Sequence, residues 1–374
     1  MKNSIKKILL AHSSNDNYGA SKVLISIIDI LTKNGFEIYL FLPSSGPLDN
    51  NDVVKKTNLK IINLGVFRKK YLTFFGLINR LYFIIKSSFY IKKFLKKNKI
   101  DLVYTNTSTI ISPSIAAKLA GIPSIYHIHE IPISNFIYAK FLAIFLNNFS
   151  RDIICVSSSV FNFWTNKGIK KNKLKIIYNG FAFKKYNSKI FFRNNIVFTS
   201  ISRILPYKGH FILIKIFELL CKKNKNIYLQ IVGDTLPEYE KYLVELKLDI
   251  KKRGLKNNIK FLGFKEDIVS ILHKSNFFIH TPLSPDPLPT VIFEAIMCKT
   301  PVITNNLGGA YEILDQGKNG LIIKNDFVEE SVEKILWYLD NKKQQKIDVE
   351  KAYNYVCQNF SFQMFKRKIL SNIE

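Results

Sequence analysis

Short apolar runs alternate with helix-like stretches along the whole of this chain, and that alternation constrains its fold more than any other feature. KILLA (7–11), FEIYLFL (36–42), DLVYT (101–105), SIYHIH (124–129) and DIICVS (152–157) are runs rich in Ile, Leu, Val and aromatic residues, with a further short strand expected over Leu59–Leu64. Between the first two lies Ala20–Lys33, whose apolar residues recur at helical spacing, and Gly35 ends it. A second series starts near Asn195. IVFTSIS (196–202), IYLQIV (227–232), Ile259–Leu262, Phe277–His280, PVIT (301–304) and GLII (320–323) read as strands, with helices over Gly209–Lys223 and Tyr239–Arg253. Strand–helix–strand alternation of this kind predicts an α/β protein whose parallel sheets are covered on both faces. The polar, basic stretch KKYNSKIFFRNN (184–195) separates the two series. It divides the chain into a first domain over 1–184, a linker over 185–195 and a second domain over 196–359. No internal sequence repeat is evident.

A length of 374 residues suits two ordinary domains, and 47% hydrophobic residues supply a core for each. Lys and Arg number 56 against 28 Asp and Glu, a net charge of +28. A nucleic-acid partner, an anionic membrane face and AT-rich codon usage each produce such a balance. Cys155, Cys221, Cys298 and Cys357 form no C-x-x-C pair and have no His cluster beside them. They read as buried apolar residues in a reducing compartment. The N-terminal MKNSIKKILLAHSSN has an apolar run too short for a signal sequence, and no stretch approaches the roughly 20 apolar residues of a spanning helix.

Ser284–Glu294, SPDPLPTVIFE, carries most of the functional information. Two carboxylates, Asp286 and Glu294, flank a Pro-rich turn and the start of a helix near Thr290. Pro287 and Pro289 lack N–H donors and hold the backbone extended before that helix. Thr290 is placed to cap it, and the free N–H groups of its first turn attract an anion such as phosphate. One carboxylate before the helix and another a turn inside it can grip sugar or ribose hydroxyls.

This segment resembles the Glu-x7-Glu motif of the family four glycosyltransferases, with Asp286 in place of the first Glu, and its continuation EAIMCKTPVITNNLGGAYEIL follows the same pattern. The resemblance implies the GT-B architecture, two Rossmann-like domains facing each other across a cleft. The first would bind the acceptor, the second the nucleotide-sugar donor, and a C-terminal helix over 360–374 would return to the first. It implies transfer of a sugar from a nucleotide donor with retention at the anomeric carbon. Glu294 would hold the ribose, Asp286 would contact the donor sugar, and Leu288, Pro289, Thr290 and Val291 would line the donor pocket. The shorter Asp286 arm bears on which donor sugar fits.

Other segments match the same pattern. In SRILPYKGH (202–210) a strand end leads into a helix, and Arg203 and Lys208 would hold the donor diphosphate and stabilise its charge as it leaves. In YHIHE (126–130) His127 and His129 fall on one side of the strand; His129 matches the family's catalytic-site His, while His127 reads as structural and Glu130 occupies a place often held by Asp. NYGASK (17–22) puts Gly19 at the start of the first helix, where the family's loop lies over donor phosphates and acceptor. Gly233 (IVGD) and Phe264–Lys265 (GFK) match positions near the nucleotide, or are ordinary strand-to-helix turns. IYNG (177–180) reads as a structural turn, Gly308–Gly309 as a tight turn in the sugar-pocket wall, and Glu312 as a helix-start residue.

No D-x-D motif occurs, so no metal or other cofactor is expected, with phosphate charge carried by Arg203, Lys208 and helix N-termini. No G-x-G-x-x-G follows the first strand, against a nicotinamide dehydrogenase. The basic, aromatic run over 68–99, with Leu72, Phe75, Leu77, Leu81 and Phe83 among Lys and Arg, reads either as an interfacial helix on an anionic bilayer or as a core helix with a solvated basic face. No stacking-platform motif supports nucleic acid. The expected partners are therefore a nucleotide-sugar, a UDP-sugar above all, a lipid-linked or surface-polysaccharide acceptor such as a capsule or lipopolysaccharide precursor, and the inner face of the cytoplasmic membrane. Two other readings stay open: an epimerase of the same fold, and an inactive sugar-binding scaffold.

Overall fold

The computed structural model describes residues 6–66, 73–132, 136–183 and 195–373. All of the expected linker except Asn195 lies outside them, as do the first residues of the basic run, Arg68–Leu72. The chain forms two compact units, Met1–Phe181 with Phe362–Glu374, and Ala182–Ser361.

In the first unit the elements run β1 (Lys7–Ala11), α1 (Gly19–Lys33), β2 (Glu37–Leu42), β3 (Asn58–Ile61), α2 (Phe74–Lys97), β4 (Leu102–Thr105), α3 (Ser112–Ala120), β5 (Ser124–Ile128), α4 (Phe136–Phe149), β6 (Asp152–Cys155), α5 (Ser158–Asn166) and β7 (Leu174–Ile176). The strands form one sheet in the order β3-β2-β1-β4-β5-β6-β7, every pairing parallel. In the second unit they run β8 (Ile196–Ile201), α6 (His210–Lys223), β9 (Ile227–Val232), α7 (Glu240–Lys252), β10 (Ile259–Gly263), α8 (Ile268–His273), β11 (Phe277–His280), α9 (Thr290–Met297), β12 (Val302–Asn305), α10 (Gly309–Ile313), β13 (Leu321–Ile323), α11 (Val328–Asp340) and α12 (Lys342–Asn359). The order there is β10-β9-β8-β11-β12-β13, again parallel throughout. The last helix, α13 (Phe362–Ile373), belongs to the first unit.

Each element follows from its sequence. Leu24, Ile27, Ile28 and Leu31 bury one face of α1 at i, i+3, i+4 and i+7 spacing. Gly35, at φ 84°, closes the helix by letting the Phe36 N–H return to the Leu31 carbonyl. In β1 and β4, Leu10 and Tyr104 point to one face of the sheet, against Leu24, Ile28 and the α13 residues Phe365, Ile369 and Ile373. Leu9 and Val103 point to the other, against Ile91 and Leu95 of α2 and Ala116 and Ala117 of α3. The second core gathers Phe198, Ile231, Phe277 and Ile279 from strands with Leu213, Phe217, Ile335 and Tyr338 from helices. Gly180 of the IYNG turn lies against α13: a Cβ there would be 2.4 Å from that of Phe365. The four cysteines are free, three of them buried.

Three sequence expectations are corrected. The strand expected over Leu59–Leu64 stops at Ile61. The edge strand β7, only three residues long, was not expected. Thr290 is not the cap of its helix: Pro289, extended at φ −70° and ψ 108°, takes that position, no side chain caps it, and Thr290 is the first helical residue. A proline before the first turn fixes the entry of the chain without a hydroxyl cap.

Candidate active site

In an open parallel sheet, ligands bind beyond the carboxyl ends of the strands where the strand order reverses. In the second unit that point lies between β8 and β11, and most residues singled out there converge on it. The loop leaving β8 is fixed by Ser202 N–H to Val232 O at 3.0 Å and Ile204 N–H to Asp234 O at 2.9 Å. A Cβ on Gly233, at φ 135°, would lie 1.9 Å from the Ser202 carbonyl oxygen, so only glycine lets the β9 end pass this close to Arg203. Gly209, at φ 76°, likewise abuts Thr281: a Cβ would be 1.9 Å from that carbonyl oxygen. It ends the Lys208 loop and caps α6.

Across the switch point the turn of the D-x7-E segment rests on the glycine pair after β12. A Cβ on Gly308 would meet the Asp286 carbonyl oxygen at 2.3 Å, and one on Gly309 the Pro287 oxygen at 2.3 Å. The Gly309 N–H donates to Asp286 O at 2.8 Å. Asn305 Nδ2 and Asn325 Nδ2 both donate to Pro282 O, at 2.6 and 2.8 Å. So held, Asp286 meets Lys208 Nζ at 2.6 Å, with both side chains about one-fifth exposed or less. Leu288 and Pro289 are buried, Val291 and Glu294 half-buried, and Thr290 exposed at the mouth of α9. Phe264 and Lys265 follow β10, two strands from β8; the Phe264 ring is 68% exposed. Glu312 is buried in the first turn of α10.

Two histidines border this site that the sequence did not single out. His280 ends β11; burial pushes its pKa down to about 4, Lys208 adds to the effect and Asp286 opposes it. Among the described residues its buried Nε2 has no hydrogen-bond partner. His210 opens α6 with Nε2 3.3 Å from Ser202 Oγ, and burial again lowers it to about 4. Both imidazoles are neutral at physiological pH.

The first unit reverses strand order between β1 and β4, and there Ala20, next to Gly19, and His129 are linked through a third residue. Asn106, directly after β4, donates from Nδ2 to Ala20 O at 3.1 Å and sets Oδ1 3.0 Å from His129 Nε2. His12, directly after β1, lies 3.1 Å from the Asn106 carbonyl oxygen through Nδ1 and 3.1 Å from Ser21 Oγ through Nε2. Ser21 in turn donates to Asp16 at 2.7 Å. Burial pushes the Asp16 carboxyl up, but the Tyr18 N–H, the Ser21 and Ser14 hydroxyls and His12 outweigh it and hold it below its ordinary value. Burial lowers His12 to about 4 and His127 to about 3, and takes His129 well down, helped by His127 and His12. The His127 and His129 rings lie 4.3 Å apart, as strand alternation requires, and His127 Nδ1 contacts Tyr104 OH at 2.9 Å. Glu130 binds Thr107 Oγ1, the Ser108 N–H and hydroxyl, and the His129 N–H. Burial raises its pKa against those bonds. Among the described residues nothing demands glycine at 19, where a Cβ would meet no atom within 4 Å.

Comparison with known proteins identifies the family and the fold. The family model for glycosyl transferases group 1 matches residues 183–355, and that for glycosyltransferase family 4 matches residues 18–184. An Escherichia coli UDP-Gal:alpha-D-GlcNAc-diphosphoundecaprenol alpha-1,3-galactosyltransferase is 26% identical over 372 residues, covering 91% of this chain and 90% of its own length. A Campylobacter jejuni N,N'-diacetylbacillosaminyl-diphospho-undecaprenol alpha-1,3-N-acetylgalactosaminyltransferase is 25% identical over 293 residues, covering 70% of this chain and 73% of its own. Among solved structures, Anabaena HepE in complex with UDP superposes with a TM-score of 0.82 at 24% identity, over 98% of this chain and 99% of that one. Two parallel-sheet units of this kind, each matched by its family model, make this chain a group 1 glycosyltransferase of the GT-B fold.

Proposed function

We propose that the chain moves a sugar from a UDP-sugar to a lipid-linked or surface-polysaccharide acceptor, with retention and without a metal ion. The observation that carries this reading is the convergence of Arg203, Lys208, Asp286 and the α9 N-terminus on one switch point. Arg203 and Lys208 bind the diphosphate and offset the charge that grows as it leaves. Glu294 holds the ribose hydroxyls, Asp286 a hydroxyl of the donor sugar, and the strand ends at Gly233 and Phe264–Lys265 the base. His129 and the Gly19 loop serve the transferred sugar and its acceptor. The bond between the anomeric carbon and the UDP oxygen breaks, and the acceptor oxygen bonds to that carbon on the same face. The departing phosphate takes the acceptor's proton. A UDP donor and an undecaprenol-linked acceptor are named for the E. coli relative, which supports the same classes here.

The same reading places the first unit on an anionic membrane surface. On α2, Phe75, Ile78, Tyr82, Ile85 and Phe89 form an exposed stripe at helical spacing, with Phe75 82% exposed, while Ile84, Ile91 and Leu95 bury the opposite face. On α4, Ile137, Phe141 and Ile144 are exposed in the same manner, Ile137 at 81%, and Ala139, Leu142, Ala143 and Leu146 are buried. Arg80, Lys86, Lys92, Lys93, Lys96 and Lys97 accompany these residues, and neither helix contains Asp or Glu. A second copy of so basic a face would be repelled; acidic headgroups complement it. No helix among the described residues is long and apolar enough to cross a membrane.

Thermal shift against UDP, GDP, ADP, CMP and dTDP, followed by transfer assays with the matching donors in EDTA, tests the donor assignment. A ligand at about 100 times its Kd adds roughly 2.7 kcal/mol to stability. The expected result is a selective shift with UDP, and transfer that survives EDTA and retains anomeric configuration. Donor conversion without acceptor would point to an epimerase, and binding without turnover to a scaffold.

A further inference from the structure

We propose that Asn106 is a positioning residue that holds His129 as its Nε2–H tautomer and leaves Nδ1 as a hydrogen-bond acceptor for a substrate hydroxyl. The argument is one of donors and acceptors. The Ala20 carbonyl can only accept, so the Asn106 atom 3.1 Å from it is the amide nitrogen. Oδ1 is then the atom facing His129 Nε2 at 3.0 Å. An amide oxygen carries no hydrogen, so His129 must donate from Nε2. This holds for either tautomer of His12, since in both the amide nitrogen stays on Ala20.

Asn106 is itself fixed. It is fully buried, its N–H donates to Ala11 O at 2.9 Å, and its Nδ2, besides Ala20 O, also faces His12 Nδ1 at 3.3 Å. Among the described residues no hydrogen bond reaches His129 Nδ1, and the residue keeps some exposure to solvent. Each titratable neighbour keeps the ring neutral or leaves it alone. His127 packs against it with the rings tilted by 38°, and contacts Tyr104. His12 faces it through Asn106, with the Asp16 carboxylate beyond, on Ser21. Glu130 turns its carboxylate to Thr107, Ser108 and the His129 backbone N–H, away from a ring nitrogen. Among the described residues no carboxylate is hydrogen-bonded to the imidazole, which leaves His129 a neutral acceptor. Only the consequence for sugar transfer rests on the function proposed above; the tautomer does not.

The test is the imidazole 15N–1H correlation spectrum of the full chain, with the His129 signals assigned by their loss in His129→Gln. The expected result is a single Nε2–H tautomer, unchanged between pH 8 and pH 5.5. In Asn106→Leu, which keeps the branched shape and removes the amide oxygen, the two tautomers should mix. Turnover should then fall by about 10- to 100-fold, with a smaller change in the donor KM. In Asn106→Asp a carboxylate faces Nε2, so His129 should titrate at higher pH and transfer should fall as pH drops through that new value. The Asp variant carries the test if Asn106→Leu does not fold. A mixed or Nδ1–H state in the unaltered chain overturns the proposal. So does a His129 signal that neither variant moves. Loss of all transfer in the unaltered chain with the expected tautomer intact would instead count against the proposed function alone.

Discussion

Lys208 and Asp286 hold each other at 2.6 Å in a half-closed corner of the second unit, where a diphosphate and its sugar are expected. A carboxylate so placed competes with phosphate for the ammonium and repels it. Asp286→Asn should therefore tighten UDP binding by roughly 5- to 10-fold, read by titration calorimetry, while slowing transfer because a sugar contact is lost. Weaker UDP binding in that variant would show that the pair assists the nucleotide. Lys208→Ala and Glu294→Ala should each lower transfer by about 100-fold or more in an initial-rate assay, as loss of a charge or hydroxyl contact at the reacting centre does. Full activity in both would remove these residues from the site. Gly309→Ala should act through the backbone: its Cβ would sit 2.3 Å from Pro287 O, so the turn bearing Asp286 must shift. Such a shift predicts a raised donor KM even though the substituted residue has no functional group.

At the scale of elements, α2 and α4 each present apolar residues on two faces, one of them buried and the other exposed. Replacing Ile78, Ile85 and Phe89 together by Asn should change the unfolding free energy by no more than about 0.5 kcal/mol per site, because all three are exposed. The same triple variant should lose sedimentation with anionic vesicles at low salt; undiminished sedimentation would reject these helices as the membrane face. Strands such as KILLA and IYLQIV were legible because their apolar runs are local and unbroken. The edge strand β7 was not, because LKI buries only Leu174 fully and leaves no pattern to find. The site divides in the same way. Asp286, Thr290 and Glu294 stand within one turn and one helix, so their spacing survives in the sequence. His12 and Asn106 meet across 94 positions, from the ends of adjacent parallel strands, and no local spacing encodes that meeting. A polar residue immediately after each apolar strand, His12 after KILLA and Asn106 after DLVYT, was the available signal.

Over the whole molecule, buried neutral histidines set the acid limit of stability. His12, His210 and His280 are lowered to about 4 and His127 to about 3, each mainly by burial. In the unfolded chain they take up protons near their ordinary value of about 6.5. Their contribution is therefore complete above about pH 6.5, declines as the pH falls, and is lost by about pH 4, or about pH 3 for His127. Each histidine costs about 1.4 kcal/mol per pH unit across that window. The melting temperature should fall steeply between pH 6.5 and pH 5, and His127→Gln should flatten the decline; a pH-independent melting curve there would show that these rings protonate in the folded state. The placement of α13 bears on how the chain is made. Phe365, Ile369 and Ile373 complete a core that begins with Ile8 and Leu10, yet they are synthesised only after every residue of the second unit. On the ribosome the later-encoded unit can therefore finish folding first, while the earlier one waits with the apolar bed of α13 uncovered, a client for whatever chaperone shields nascent chains.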